Sequence, residues 1–319
     1  MRIAGDGRAP RARRRAVRAL LALACVLCVL TGAVPAAAAA ADAPHRLRVG
    51  VTLHPYYSWT ANVVGSADVD VVPVLPGEVD AGNYQPSPRD IARLADLDAI
   101  VVNGVGHDEF IFDMIKASGN TGITVIRPND AVPLMRAAHG SALNSHTFLS
   151  FTNAIQQTYF IARALGQLRP ALAATFQENA AEYARRLRTI KAEAARALAD
   201  ARITRVVTVH DGYGYLMQEF GIEIVGVVEP AHGLVPSAAE LEAMVDLMKR
   251  EKIHVVFSEE SFPAPLLKVL RDATGARVYL ISHIATGTYA ADEFEREMRG
   301  NVAAMIQALV KDPAEAPAA

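Results

Sequence analysis

The sequence predicts an α/β protein of two lobes, each on a mostly parallel sheet, joined by a long rigid backbone helix with a cleft between them. Three observations lead there. Short β-branched runs alternate with helical patterns between residues 47 and 102, and the same alternation returns after residue 200. Between them, Pro170 to Ala201 runs without glycine or internal proline. Strands that alternate with helices assemble into parallel sheets with helices on their faces.

The chain of 319 residues opens on an address rather than a fold. Arg8, Arg11, Arg13, Arg14, Arg15 and Arg18 form a basic region, Ala19 to Val34 is apolar, and an alanine run ending near Ala41 offers small-residue cleavage sites. A membrane span needs about 20 apolar residues, so this run reads as a cleaved signal peptide rather than an anchor. Cys25 and Cys28 both lie in it, and neither has a leucine three positions before it, which disfavours a lipid anchor. The mature chain then has neither disulfide nor thiolate ligand. Removing residues 1–41 leaves 25 basic against 33 acidic side chains, a net charge of about −8. Phosphate neutralisation needs clustered Lys and Arg, so nucleic acid is not an expected partner.

In the first lobe, Leu47–Leu53, Val69–Leu75 and Ala99–Val102 read as strands, and Ser87–Leu97 as a helix opened by Ser87-Pro88. In the second, Val206–Val209, Ile224–Val228, Val255–Ser258 and Val278–Ile281 read as strands, with Ala238–Arg250 and Pro265–Ala273 as helices. Phe176, Ala180, Tyr183, Leu187, Ile190, Ala194 and Leu198 recur at helical spacing through the middle segment. The expected helix approaches about 45 Å. The resulting organisation is a signal peptide over 1–41, a first α/β lobe over 42–168, a linking helix over 169–201, a second α/β lobe over 202–311 and a disordered tail over 312–319.

Without cysteine, a transition-metal site must draw on His, Asp and Glu. Of the nine histidines, three share a context. His146 (NSHTFLSF) precedes an apolar helix, His210 ends the strand VVTVH, and His283 ends VYLISH. Carboxyl ends of strands line the ligand crevice in open α/β sheets. Neutral imidazoles from two lobes make a nitrogen-rich cleft suited to zinc. His45 and His139 sit in loop-like stretches, His254 lies beside a strand, and His107 reads as capping or solvating a helix start.

Longer phrases carry a resemblance. PGEVDAGNYQPSPRDIARLADLDAIVVNG from Pro76, NSHTFLSF, HDGYGYLMQEFGI, FSEESF and LISHIATG occur in this order around the long helix. The chain resembles the zinc- and manganese-binding solute-binding proteins of ABC transporters (cluster A-I, the periplasmic zinc-binding family). The resemblance implies two α/β lobes with metal between them. His146 and His210 fall on the family's ligand positions, and His283 falls where the family usually has aspartate. The family's first histidine is replaced: the chain reads Asp80-Ala81-Gly82, and glycine offers no side-chain ligand. His54, ending the first strand, is our fourth candidate, either a ligand or a ring packed beside Pro55 and Tyr56. His232 reads as a rim residue or a ligand, and Glu259 as a ligand or a partner to a ligand ring. Asp80 and Asn83 read as turn formers.

The expected function is an exported, periplasmic, monomeric solute-binding protein that captures zinc, with manganese as the other cargo, and delivers it to an ABC permease in the membrane. It is not expected to be an enzyme. Two other readings are an exported zinc hydrolase with Glu259 as base and an adhesin-like surface protein. The absence of H-E-x-x-H and of a nucleophile elbow weighs against the first.

Overall fold

The computed structural model describes residues 45–138, 142–229 and 231–311; the expected signal peptide, His139 and the expected tail lie outside them. Strands β1 (Leu47–Val51), β2 (Val69–Pro73), β3 (Ala99–Val101) and β4 (Thr124–Ile126) form one sheet in the order β2-β1-β3-β4. Strands β5 (Arg205–Thr208), β6 (Glu223–Val227), β7 (Val255–Ser258) and β8 (Arg277–Leu280) form another in the order β6-β5-β7-β8. Every pairing is parallel. Both orders reverse direction beside their first strand, and that reversal opens a crevice at the carboxyl ends.

Helices α1 (His54–Val64), α2 (Pro88–Ala92), α3 (Phe110–Ser118) and α4 (Phe151–Leu168) belong to the first half. The long helix α5 spans Ala173–Leu198, and α6 (Gly214–Glu219), α7 (Ala238–Glu251), α8 (Ala264–Thr274) and α9 (Glu293–Ile306) follow. Among the described residues, no helix is long and apolar enough to cross a membrane.

The long helix is 26 residues, about 39 Å, rather than the expected 45 Å, because Pro170–Leu172 forms a 3₁₀ turn that brings α5 back against α4. All seven of its periodic apolar positions are buried. They belong to one continuous core that runs from Val49 and Val51 in the first sheet to Val255 and Phe257 in the second. A smaller core lies between the second sheet and α7 and α8. Helix α9 packs back onto α1 and α5, so the last helix contacts the first half of the chain.

The helix expected over Ser87–Leu97 is shorter. Asp90 accepts hydrogen bonds from the N–H and Oγ of Ser87, which starts α2 firmly. The chain then tightens into turns after Ala92, because Leu94 and Leu97 are drawn into the core and Asp98 N–H bonds Arg48 C=O at the edge of β1. Tertiary burial overrides the helical pattern there.

Candidate metal centre

The loops that follow the strand ends supply the site. Asp80 follows β2, His107 follows β3, and His146 stands before α4. From the second half, His210 follows β5, His232 follows β6, and His283 follows β8. His146, His210 and His107 are 5%, 3% and 3% exposed, in a chain whose charged and imidazole groups otherwise lie mostly at the surface.

The rings of His146, His210 and His283 are each held by the outer nitrogen. Asn144 donates through Nδ2 to the Asp211 carbonyl (2.8 Å), which fixes its amide so that Oδ1 accepts from the His146 Nδ1–H (3.1 Å). Glu229 Oε2 accepts from the His210 Nδ1–H (3.1 Å), and Glu259 Oε2 from the His283 Nδ1–H (2.8 Å). Glu259 is itself held by the Tyr213 hydroxyl at 2.8 Å. A neutral imidazole that donates from one nitrogen presents a lone pair at the other. Outer partners of this kind orient metal-binding histidines and raise their basicity.

The inner nitrogens converge. His146 Nε2 lies 2.9 Å from His210 Nε2, which lies 3.2 Å from His232 Nδ1. His232 Nε2–H donates to Asp80 Oδ2 at 2.8 Å, and His283 Nε2 lies 3.3 Å from the same oxygen. Donors around a tetrahedral ion with 2.0–2.1 Å bonds sit about 3.3 Å apart. Bare lone pairs at such separations repel one another unless a cation lies among them. His107 Nε2 is buried 3.4 Å from Asp80 Oδ1 and makes no well-formed hydrogen bond.

The electrostatics follow the same geometry. Burial, reinforced by the neighbouring rings, pushes His146 well below the usual imidazole range, and burial also lowers His107. Burial also acts downward on His283, but hydrogen bonds to Asp80 and Glu259 outweigh it and hold the ring up to about 10. Burial alone would raise Asp80; the facing rings of His107, His232 and His283 win and hold it well below the carboxylate range. The backbone contributes as well. Asn301 clamps Ser282 through both its N–H and C=O at 2.7 Å each, and Ile284 takes a left-handed conformation at φ 58°. A β-branched residue there costs of order 1–3 kcal/mol. This conformation turns the chain just after His283.

Of the four sequence-predicted residues, the structure brings His146, His210 and His283 together. His54 does not join them. Its ring stacks on Tyr289 at 4.0 Å, and its Nε2–H donates to the Gly287 carbonyl at 3.2 Å, so that nitrogen is engaged by backbone. Burial pushes its pKa down, against the upward pull of the neighbouring carbonyls. Two expectations are corrected. His107 neither caps nor solvates a helix, because the β3–α3 loop folds it beneath Asp80. Asp80 does form its turn, accepting the Gly82 N–H at 2.8 Å, but its carboxylate also faces three histidines. His232, read as a rim or ligand residue, points inward. The signal that could have found all three is the one used for His210: each follows a strand's carboxyl end.

The family described as "Zinc-uptake complex component A periplasmic" matches residues 49–308. The chain is similar to FpvC of Pseudomonas aeruginosa, a solute-binding protein solved with Mn2+, at 43% identity and TM-score 0.79, covering 83% of this chain and 99% of that one. It is similar to the zinc-binding protein AdcA of Streptococcus pyogenes serotype M1, 23% identical over 262 residues, and spans about half of that relative's length, 51%, with 75% of its own. A zinc-bound deletion mutant of ZnuA shares the fold at TM-score 0.72 and 23% identity, covering 84% of this chain and 99% of that chain. With the match extending over both lobes and the cleft between them, the chain belongs to the periplasmic zinc-uptake component A family.

Proposed function

We propose that this protein captures a transition-metal ion, zinc foremost, between its two lobes and delivers it to an ABC permease in the membrane. The observation that supports this best is the inward turn of three Nε2 atoms, those of His146 and His210 meeting at 2.9 Å and that of His283 lying 3.3 Å from Asp80, with every Nδ1 proton held by Asn144, Glu229 or Glu259. These three rings are the ligands, and nitrogen donors favour zinc. Asp80 adds a carboxylate beside them, which extends the cargo to manganese. An incoming ion takes the place of the proton that Asp80 and Glu259 hold on His283. The protein works as a monomer in the periplasm after loss of residues 1–41; a mature N-terminus near Ala40 to Ala43 and a single-copy mass in solution check both statements.

The same geometry argues against hydrolysis. Both carboxylate oxygens of Glu259 are engaged, one by His283 and one by Tyr213, so it is not a free base. Its place is behind a ligand ring.

The test is zinc affinity by competition with a chelator at neutral pH. Alanine at His146, His210 or His283 is expected to weaken binding at least tenfold each, about 1.4 kcal/mol. Wild-type affinity in both His210→Ala and His283→Ala would overturn the site.

A further inference from the structure

The position that the resemblance leaves bare at Gly82 is filled in space by another residue. A Cβ built on Gly82 would lie 2.7 Å from His232 Nε2 and 2.9 Å from its Cδ2. The ring from the second lobe therefore occupies the volume that a side chain at residue 82 of the first lobe would enter. His232 is also shared by both three-donor groups found among the described residues, His146–His210–His232 and Asp80–His232–His283.

The local chain is shaped to bring it there. Ala231 to Leu234 form a turn closed by the Leu234 N–H on the Ala231 carbonyl at 3.0 Å, with Gly233 at φ +70°. That conformation is natural for glycine and strained for other residues. A Cβ on Gly233 would also lie 2.7 Å from the Asn83 amide, so the turn rests directly on the loop that follows Asp80. Two glycines, one on each lobe, thus allow two loops to interlock, and His232 is the side chain that crosses. Leu234 and Val235, just beyond it, are 58% and 62% exposed, so apolar packing does not hold this turn down.

We propose that His232 is the ligand that replaces the absent side chain at residue 82, and that the captured ion thereby pins the 231–236 turn of the second lobe onto the first. This rests on the reading of the cleft as a metal site. In a chain with its fourth donor at residue 82, the ion leaves that turn free. Here the donor and the turn are one unit, so loading is tied to the position of a surface loop. His232 Nδ1 already faces His210 Nε2 and its Nε2 faces Asp80, so a small rotation about its side-chain bonds aims either nitrogen at the ion.

The experiment combines ligand transplantation with hydrogen exchange, using zinc as the probe on the mature chain. His232→Ala is expected to lose at least tenfold in zinc affinity. Gly82 has no positive φ and tolerates a side chain once the ring opposite is gone, with His107 Cε1 (3.1 Å) giving way slightly. Gly82→His with His232→Ala should therefore regain most of the lost affinity. Zinc should slow amide exchange across 231–236 in the wild type, but not in the double variant, which binds the ion without the turn. Gly233→Ala, which keeps every donor, should weaken both binding and protection, and it serves if the double variant does not fold. Undiminished affinity in His232→Ala while His210→Ala has lost it would overturn the proposal and leave the metal site standing. So would a loss in His107→Ala with none in His232→Ala. Wild-type affinity in His210→Ala and His283→Ala would instead remove the site itself.

Discussion

Histidine serves opposite purposes at the two ends of the cleft. At one end, His54 joins a latch between α1 and the segment leading into α9. Its partner is a carbonyl, and around it Gly287 N–H bonds Gly77 C=O (2.8 Å), Ser58 bonds Ala290 C=O (2.7 Å) and Asn62 bonds Ala291 C=O (2.7 Å). At the other end, His146 and His210 point their inner nitrogens at each other, and His283 points its own at Asp80. All are buried or nearly so, and burial does not separate the two classes. The partner of the inner nitrogen does. A backbone carbonyl completes a histidine, whereas a converging lone pair leaves it able to take a cation.

The sharpest way to break this contrast is to remove an outer partner at the proposed metal end without touching a proposed ligand. Glu259→Ala leaves His283 unoriented and Tyr213 with only the more distant Ile281 carbonyl, and zinc affinity should fall by about 10–100-fold. Glu259→Gln retains an acceptor oxygen and should lose less. Chelator competition reads both, and unchanged affinity in the alanine variant would show that the carboxylate only fills space.

A smaller effect is expected at the latch. His54→Ala removes the stack on Tyr289 and the bond to Gly287, and should cost about 1–2 kcal/mol of stability. Zinc affinity should stay at the wild-type level. Thermal melting with and without zinc separates the two quantities. A tenfold affinity loss together with a normal melting temperature would place His54 among the ligands after all.

The smallest effect concerns pH. Glu293, the first residue of α9, is buried within the latch, and its Oε2 has no hydrogen-bond partner. Burial raises its pKa to about 7 from an ordinary value of 4.5. Between those values the folded chain keeps a proton that the unfolded chain has released, so this group's contribution to stability declines as pH rises from 4.5 to 7. Glu293→Gln carries no titrating proton. Its metal-free melting temperature should exceed that of the wild type at pH 8, and the gap should narrow at pH 5. An equal difference at both pH values would show that the carboxyl is already ionised in the fold.

Much of this molecule was legible in its residues. The strands at Val255–Ser258, the helix from Ala238 and the seven buried positions of α5 are set by local periodicity, which requires no knowledge of the partner surface. The placement of His210 and His283 is equally local, since the end of a strand in a parallel sheet is already a place in space. Reading Asp80 as only a turn former failed because one carboxylate can close a turn through Oδ1 and face histidines through Oδ2. A sequence shows the first use and not the second.

What the sequence determined by itself was therefore the lobes, the helix between them and which loops reach the cleft. Only the tertiary structure decided which rings turn inward. His54 and His232 both follow strands and look equivalent in the chain. One is turned by Tyr289 and Gly287, residues more than two hundred positions away, and the other by a glycine turn resting on Asn83 of the opposite lobe. Ring direction depends on which group accepts or crowds each nitrogen, and those groups meet only when distant segments pack.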